Sequence, residues 1–147
     1  MPMVPEGPAY TFTGDSNEEY AAHVVGRLQA FNRAHIPTDS DPAPLEIYIL
    51  DDAGSLVGGL VGKTVWGWLE IAAIWVEERL RGRGLGTELM ECAETEARRR
   101  GCAAARFSTW DFQALGFYER LGYTPYGRLE NYPAGHTVYY LRKELTE

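Results

Sequence analysis

The chain has 147 residues, 45% apolar and 24% charged, which suits one soluble domain built around one hydrophobic core. No apolar run is long enough to cross a bilayer, and the start Met1-Pro2-Met3-Val4-Pro5-Glu6 lacks the basic and apolar regions of a secretion signal, so a cytoplasmic protein with no membrane partner is expected. The formal net charge of −7 discourages nucleic acid and acidic surfaces as partners and mildly favours cationic substrates.

A single domain over residues 1–147 is expected, with residues 1–8 and their three prolines as a loose lead-in. Ala9 to Thr13 alternates as a short strand does. Ser16-Asn17-Glu18-Glu19 has the form of a capping box, and behind it Tyr20, Val24, Leu28 and Phe31 recur at helical spacing with Ala21 and Val25 beside them. Pro37 to Pro44 is a turn-rich break. Leu45–Leu50 and Leu56–Thr64 read as two arms of a hairpin around Asp51-Asp52-Ala53-Gly54, with Gly58, Gly59 and Gly62 marking a bulge or a close backbone neighbour. Val65 to Val76 reads as one long central strand.

The strongest helix pattern runs from Gly84 to Arg100. Leu85, Leu89, Cys92, Ala93 and Ala97 form its buried stripe, while Glu94 with Arg98 and Glu96 with Arg100 pair along its wet side. Gly101 is a natural stop. Ala103–Ser108 follows as a strand, Ala114–Leu121 as a short helix ended by Gly122, and Tyr123–Leu129 and Thr137–Lys143 as the last strands. The order β-α-β-β-β-α-β-α-β-β describes an α/β domain around one mixed sheet. Cys92 and Cys102 read as small core residues in a reducing compartment, with neither a disulfide nor a metal site expected.

Gly82, Gly84 and Gly86 alternate directly after a strand and open a helix. Glycine lets the backbone bend through unusual angles and approach a ligand closely, and a helix start presents unpaired N–H groups with a partial positive charge. Together these features make a phosphate site, with Arg81 and Arg83 adding charge at its rim. The dinucleotide reading fails because that pattern belongs to the first strand of a chain-opening βαβ unit. The nucleoside-triphosphate reading fails because no Gly-Lys-Ser/Thr follows.

A second motif lies downstream, Ala114-x-x-Phe117-Tyr118-Glu119-Arg120-Leu121-Gly122-Tyr123. With Arg81-Gly82-Arg83-Gly84-Leu85-Gly86 it resembles the paired signature of the GNAT family of N-acetyltransferases, Gln/Arg-x-x-Gly-x-Gly/Ala followed by Ala-x-x-Phe-Tyr-x-Lys/Arg-x-Gly-Phe/Tyr. The resemblance implies a mixed, mostly antiparallel sheet with a central splay and flanking helices. It implies acetyl-CoA as co-substrate, its pantetheine arm against the backbone near Ile74 and Val76. Its pyrophosphate would lie on the loop from Arg81 through Thr87, with Ala114 and Phe117 alongside. Asp111 stands where many members carry an Asn that contacts the cofactor arm, so it either takes that role or caps the short helix. A homodimer is a family-level expectation.

The resemblance gives Tyr118 the role of general acid toward the leaving thiolate. Glu70, eleven residues before Arg81, stands at the spacing of the catalytic glutamate of some members. On a regular strand Trp66, Trp68 and Glu70 share one face, where two rings beside a carboxylate suit a cationic amine. The bland alternative is a solvated glutamate between core tryptophans. His136, in the turn Asn131-Tyr132-Pro133-Ala134-Gly135-His136, either lines the acceptor pocket as a second base or is structural. The expected activity is acetyl transfer from acetyl-CoA to a primary amine of a small molecule by direct attack in a ternary complex. A protein lysine or N-terminus as acceptor, and a non-catalytic acyl-CoA-binding module, are the alternatives.

Overall fold

The computed structural model describes residues 9–36 and 41–146. They fall into two compact units divided between Thr38 and Asp39. The first carries one helix, α1 (Glu18–Arg33), with two acidic residues in its first turn and Arg33 in its last, the arrangement the helix dipole favours. Its start differs from the capping-box expectation. Asn17 rather than Ser16 is the cap, its side-chain oxygen accepting the Tyr20 N–H at 3.0 Å. Ala9–Thr13 is not a strand, because its alternation finds no neighbouring strand to share hydrogen bonds with among the described residues.

The second unit holds a six-stranded sheet: β1 (Ala43–Leu50), β2 (Leu56–Val65), β3 (Trp68–Val76), β4 (Ala104–Trp110), β5 (Thr124–Glu130) and β6 (Thr137–Glu144). The spatial order is β1-β2-β3-β4-β6-β5. Every adjacent pair is antiparallel except β3–β4. A parallel pair needs a crossover, and α2 (Leu85–Arg99) supplies it. A short helix, α3 (Leu115–Arg120), joins β4 to β5. The β1–β2 turn is tied by Asp51, whose Oδ1 accepts the N–H groups of Ala53 and Ser55, both at 2.9 Å.

The single long strand expected over Val65–Val76 is instead the end of one strand and the whole of the next. Trp66 and Gly67 both adopt left-handed backbone angles, φ 52° and 77°, and make the tight hairpin turn between β2 and β3. Trp66 is therefore off the strand and does not share a face with Trp68 and Glu70. Further along, the register slips between Val61 and Gly62 of β2, leaving Ala72 of β3 as the extra residue of a bulge. Gly62 is required there, because a Cβ at that position would collide with the Glu70 carbonyl.

The core lies between the sheet and α2, where Leu89, Met90, Ala93 and Ala97 pack over Leu45, Leu60, Leu69 and Ile71. Gly101 ends the helix with φ 85°. Two stripe assignments change. Cys92 is exposed, and Glu94 is buried at 4% exposure. Glu94 tolerates burial because it is fully partnered, accepting from the Tyr123 hydroxyl at 3.0 Å and from Lys143 Nζ at 2.7 Å, with Arg98 3.7 Å away. Glu96 and Arg100 pair along the exposed side as expected, at 3.0 Å. Among the described residues no helix is long and apolar enough to cross a membrane.

Candidate active site

The two central strands stay together for only three residue pairs, from Trp68↔Ala104 to Glu70↔Arg106. Beyond Glu70, β3 remains bonded to β2 and β4 to β6, so Ile71–Val76 and Phe107–Trp110 lean apart. The Ala72 bulge helps open the gap and shifts the strand's phase, so that Ile74 and Val76 turn toward the core while Trp75 is left half exposed. A cavity of about 700 Å³ fills the gap between the diverging strands. It adjoins a second of about 550 Å³, lined by Gly82, Gly84, Leu85, Gly86 and Thr87. Ile74, Trp75, Val76, Arg81, Ala114 and Tyr118 line both.

The loop has the geometry an anion needs. Gly82 and Gly84 have φ 78° and 82°, and Gly84 is the left-handed residue from which α2 starts. The first backbone bond of the helix runs from Glu88 N–H to Gly84 C=O at 3.0 Å, so the N–H groups of Leu85, Gly86 and Thr87 find no carbonyl within the helix. Gly86 lies against Phe117, where a Cβ would come within 3.3 Å of the ring. Arg81 is held at the junction of the two cavities by donating from Nε to the Val76 carbonyl at 3.0 Å. Arg83 lines neither cavity. A pyrophosphate-sized anion fits unpaired N–H groups beside glycines and one anchored arginine.

Tyr118 sits where the cavities meet. It is 7% exposed, boxed in edge-on by Phe107 at 4.5 Å and Phe117 at 5.0 Å between ring centroids. Burial pushes its hydroxyl up to about 12. That hydroxyl makes no hydrogen bond to protein among the described residues, and Tyr118 lines both cavities.

Glu70 stands at the closed end of the splay. Its carboxylate accepts from Arg106, at 3.0 Å to Nη2 and 3.2 Å to Nε, and lies 3.8 Å from Lys63 Nζ. It opens onto a recess of about 190 Å³ that shares Ile71, Phe107 and Ser108 with the larger cavity. Trp68 lies under the Arg142 guanidinium, 5.1 Å from ring centre, and lines neither large cavity. Trp66 also lines neither.

Asp111 does not cap α3, whose first residue has no side-chain cap. Its two oxygens instead fasten the start of β6, one accepting the Thr137 N–H at 3.0 Å, the other 3.0 Å from His136 Nδ1. Partial desolvation raises its carboxyl, but the Thr137 N–H, His136 and the Phe112 N–H together hold it below the usual range. An ionised carboxylate only accepts, so Nδ1 of His136 carries the proton. Sequence reasoning missed the aromatic wall beside this pair. Trp75, Trp110 and Phe112 line the larger cavity, and the run Trp110-Asp111-Phe112 ahead of the second motif was the available signal.

Comparison with known proteins finds relatives of one family. The model of the acetyltransferase (GNAT) family matches residues 9–123. A blasticidin-S acetyltransferase of Streptomyces morookaense is 45% identical over 122 residues, covering 80% of this chain and 88% of that protein. An acetyltransferase of Agrobacterium fabrum is 41% identical over 118 residues, covering 80% and 85%. The crystal structure of an acetyltransferase from Agrobacterium tumefaciens superposes with a TM-score of 0.83 at 36% identity, covering 93% of this chain and 99% of that one. More distant structures of the same fold contain acetyl-CoA or CoA.

Proposed function

The chain belongs to the GNAT acetyltransferase family, with acetyl-CoA as co-substrate, and on that premise we propose that it acetylates the primary amine of a small molecule by direct attack in a ternary complex. The observation that carries this reading is the meeting of the two cavities at Tyr118. One cavity offers unpaired N–H groups to a pyrophosphate, and the other leaves room for an acceptor within the range typical of small-molecule sites. The 45% identity to a blasticidin-S acetyltransferase over most of both chains favours a small-molecule acceptor over a protein lysine or N-terminus.

Bound acetyl-CoA supplies an activated acetyl group and a thiolate leaving group. An ammonium with a lysine-like pKa of about 10.4 must lose a proton before it attacks, at a cost of roughly 4.6 kcal/mol at pH 7. Glu70 takes that proton, through water in the recess it shares with Ile71, Phe107 and Ser108. The amine nitrogen then bonds to the acetyl carbon, the C–S bond breaks, a second proton from nitrogen ends on sulfur, and one proton passes from Glu70 to solvent.

Tyr118 serves the sulfur. At about 12, its hydroxyl is protonated at any working pH. A thiol of about 8.5 is the stronger acid by several kcal/mol, so outright transfer from Tyr118 runs uphill. Its contribution is a hydrogen bond that strengthens as the C–S bond breaks, the kind of interaction that accelerates chemistry rather than binding. Neither cysteine fits a covalent route. Cys92 lines neither of the two cavities that meet at Tyr118, and burial pushes the Cys102 thiol up.

A screen for CoA thiol release over polyamines, aminoglycosides, amino acids and peptides tests the reading. Release with a small amine supports it. Calorimetric binding of acetyl-CoA without release from any amine favours the acyl-CoA-binding module instead.

A further inference from the structure

We propose that the acceptor end of the cleft is a stacking site for an amine carried on a flat, unsaturated ring, held between Trp75 on β3 and the Trp110–Phe112 pair beyond β4. The inference rests on the acetyltransferase reading and names its substrate class.

Four observations carry it. Trp75 and Phe112, which line the larger cavity, are 49% and 60% exposed, and large rings left in water on one cavity wall point to a binding use. Trp75 and the Trp110–Phe112 pair stand on opposite strands of the splay and line the same cavity. On the β4 side the ring planes are nearly parallel: Trp110 lies at 26° to Phe112 and 22° to Tyr132, with centroids 6.4 and 6.2 Å away. The wall is also fixed before any ligand arrives. The Trp110 indole N–H donates to the Tyr132 carbonyl, Gln113 Oε1 accepts from the Trp110 N–H and the Thr109 hydroxyl, both at 3.0 Å, and His136 packs edge-on to Phe112 at 5.0 Å. Rigid rings lose little freedom on binding, which favours a planar partner.

The composition of the cavity narrows the class further. No Asp or Glu lines it, and Arg81 is its charged residue. A polyamine or another polycation therefore finds no anionic partner there, and the acidic balance of the chain is carried elsewhere. Stacking and a few neutral hydrogen bonds, from groups such as Ser108 and Gln113, are the available recognition chemistry. At the outer end of the wall, Asp111 fixes the His136 ring through Nδ1, and Nε2 makes no hydrogen bond among the described residues.

The test uses a matched pair of amines, benzylamine and cyclohexylmethylamine, which differ in planarity far more than in size. Two readouts are taken. One is kcat/KM for acetylation; the other is calorimetric binding of each amine to the CoA-loaded protein. The wild type is expected to favour benzylamine about five- to tenfold in both, and Phe112→Leu and Trp75→Leu to narrow the ratio to within about twofold. Both side chains are exposed enough for the variants to fold, which a melting curve checks. Equal acetylation of the pair by the wild type overturns the stacking site and leaves the enzyme reading intact. A binding preference lost in Phe112→Leu, without turnover of any amine, supports the stacking site and overturns the enzyme reading. A preference that survives in both variants overturns the proposed wall.

Discussion

The ring of Tyr118 stands edge-on to Phe107, 4.5 Å between centroids at 68°, which fixes the side chain at the junction of the two cavities. Because the packing belongs to the ring and the chemistry to the oxygen, Tyr118→Phe separates them. The variant is expected to melt close to wild type, bind acetyl-CoA with similar affinity, and lose about 100-fold or more in kcat. A kcat within a factor of three of wild type removes the hydroxyl from the mechanism.

The same burial makes a stability prediction. Tyr118 ionises at about 12 in the folded chain and about 10 when unfolded. Its burial costs nothing extra while both states are neutral, below pH 10. Above that the unfolded chain ionises first, so stability falls by up to about 2–3 kcal/mol between pH 10 and 12. Tyr123 is raised by burial and by Glu94, and acts with the same sign. Melting temperature followed from pH 8 to 11.5 should drop less steeply in Tyr118→Phe than in wild type; parallel curves contradict the assignment.

The loop yields a binding prediction. An added Cβ at Gly84 meets no protein atom within 4 Å, so Gly84→Val introduces no internal clash. It does force a branched residue into a left-handed backbone, φ 82°, at a cost of about 1–2 kcal/mol, and points side chain into ligand space. Calorimetry should show CoA affinity at least about tenfold weaker while the protein remains folded. Unchanged affinity would place the pyrophosphate elsewhere.

Glu70→Gln keeps a hydrogen-bonding group beside Arg106 but removes the proton acceptor. With an alkylamine acceptor, the variant should lose at least about tenfold in kcat/KM at pH 7. The deficit should shrink as pH approaches about 10.4, where the amine is already neutral and needs no base. Identical pH profiles for variant and wild type would return Glu70 to a purely structural ion pair.

The glycine loop and α2 were legible because their signals are local: alternate glycines, helical periodicity and a Gly101 stop. The hairpin at Trp66-Gly67 was not, since tryptophan rarely takes positive φ and the flanking residues are apolar on both sides. The stripe of α2 departs from its periodicity at Cys92 and Glu94 for a different reason. What makes a buried Glu94 tolerable is Tyr123 and Lys143, 29 and 49 residues away. The sequence around Asp111 suggests only a cofactor contact or a helix cap, because its partner His136 lies 25 residues on and arrives through the pairing of β4 with β6. The aromatic wall has the same origin: Trp75 and Trp110 become two sides of one cleft only after the sheet splays.

Direct attack within a ternary complex is tested most directly by initial rates with acetyl-CoA and an amine acceptor varied together, the product identified by mass spectrometry. Lines intersecting in double-reciprocal form, with an N-acetylated amine as product, are predicted. Parallel lines with an acetylated side chain trapped on the enzyme would contradict it.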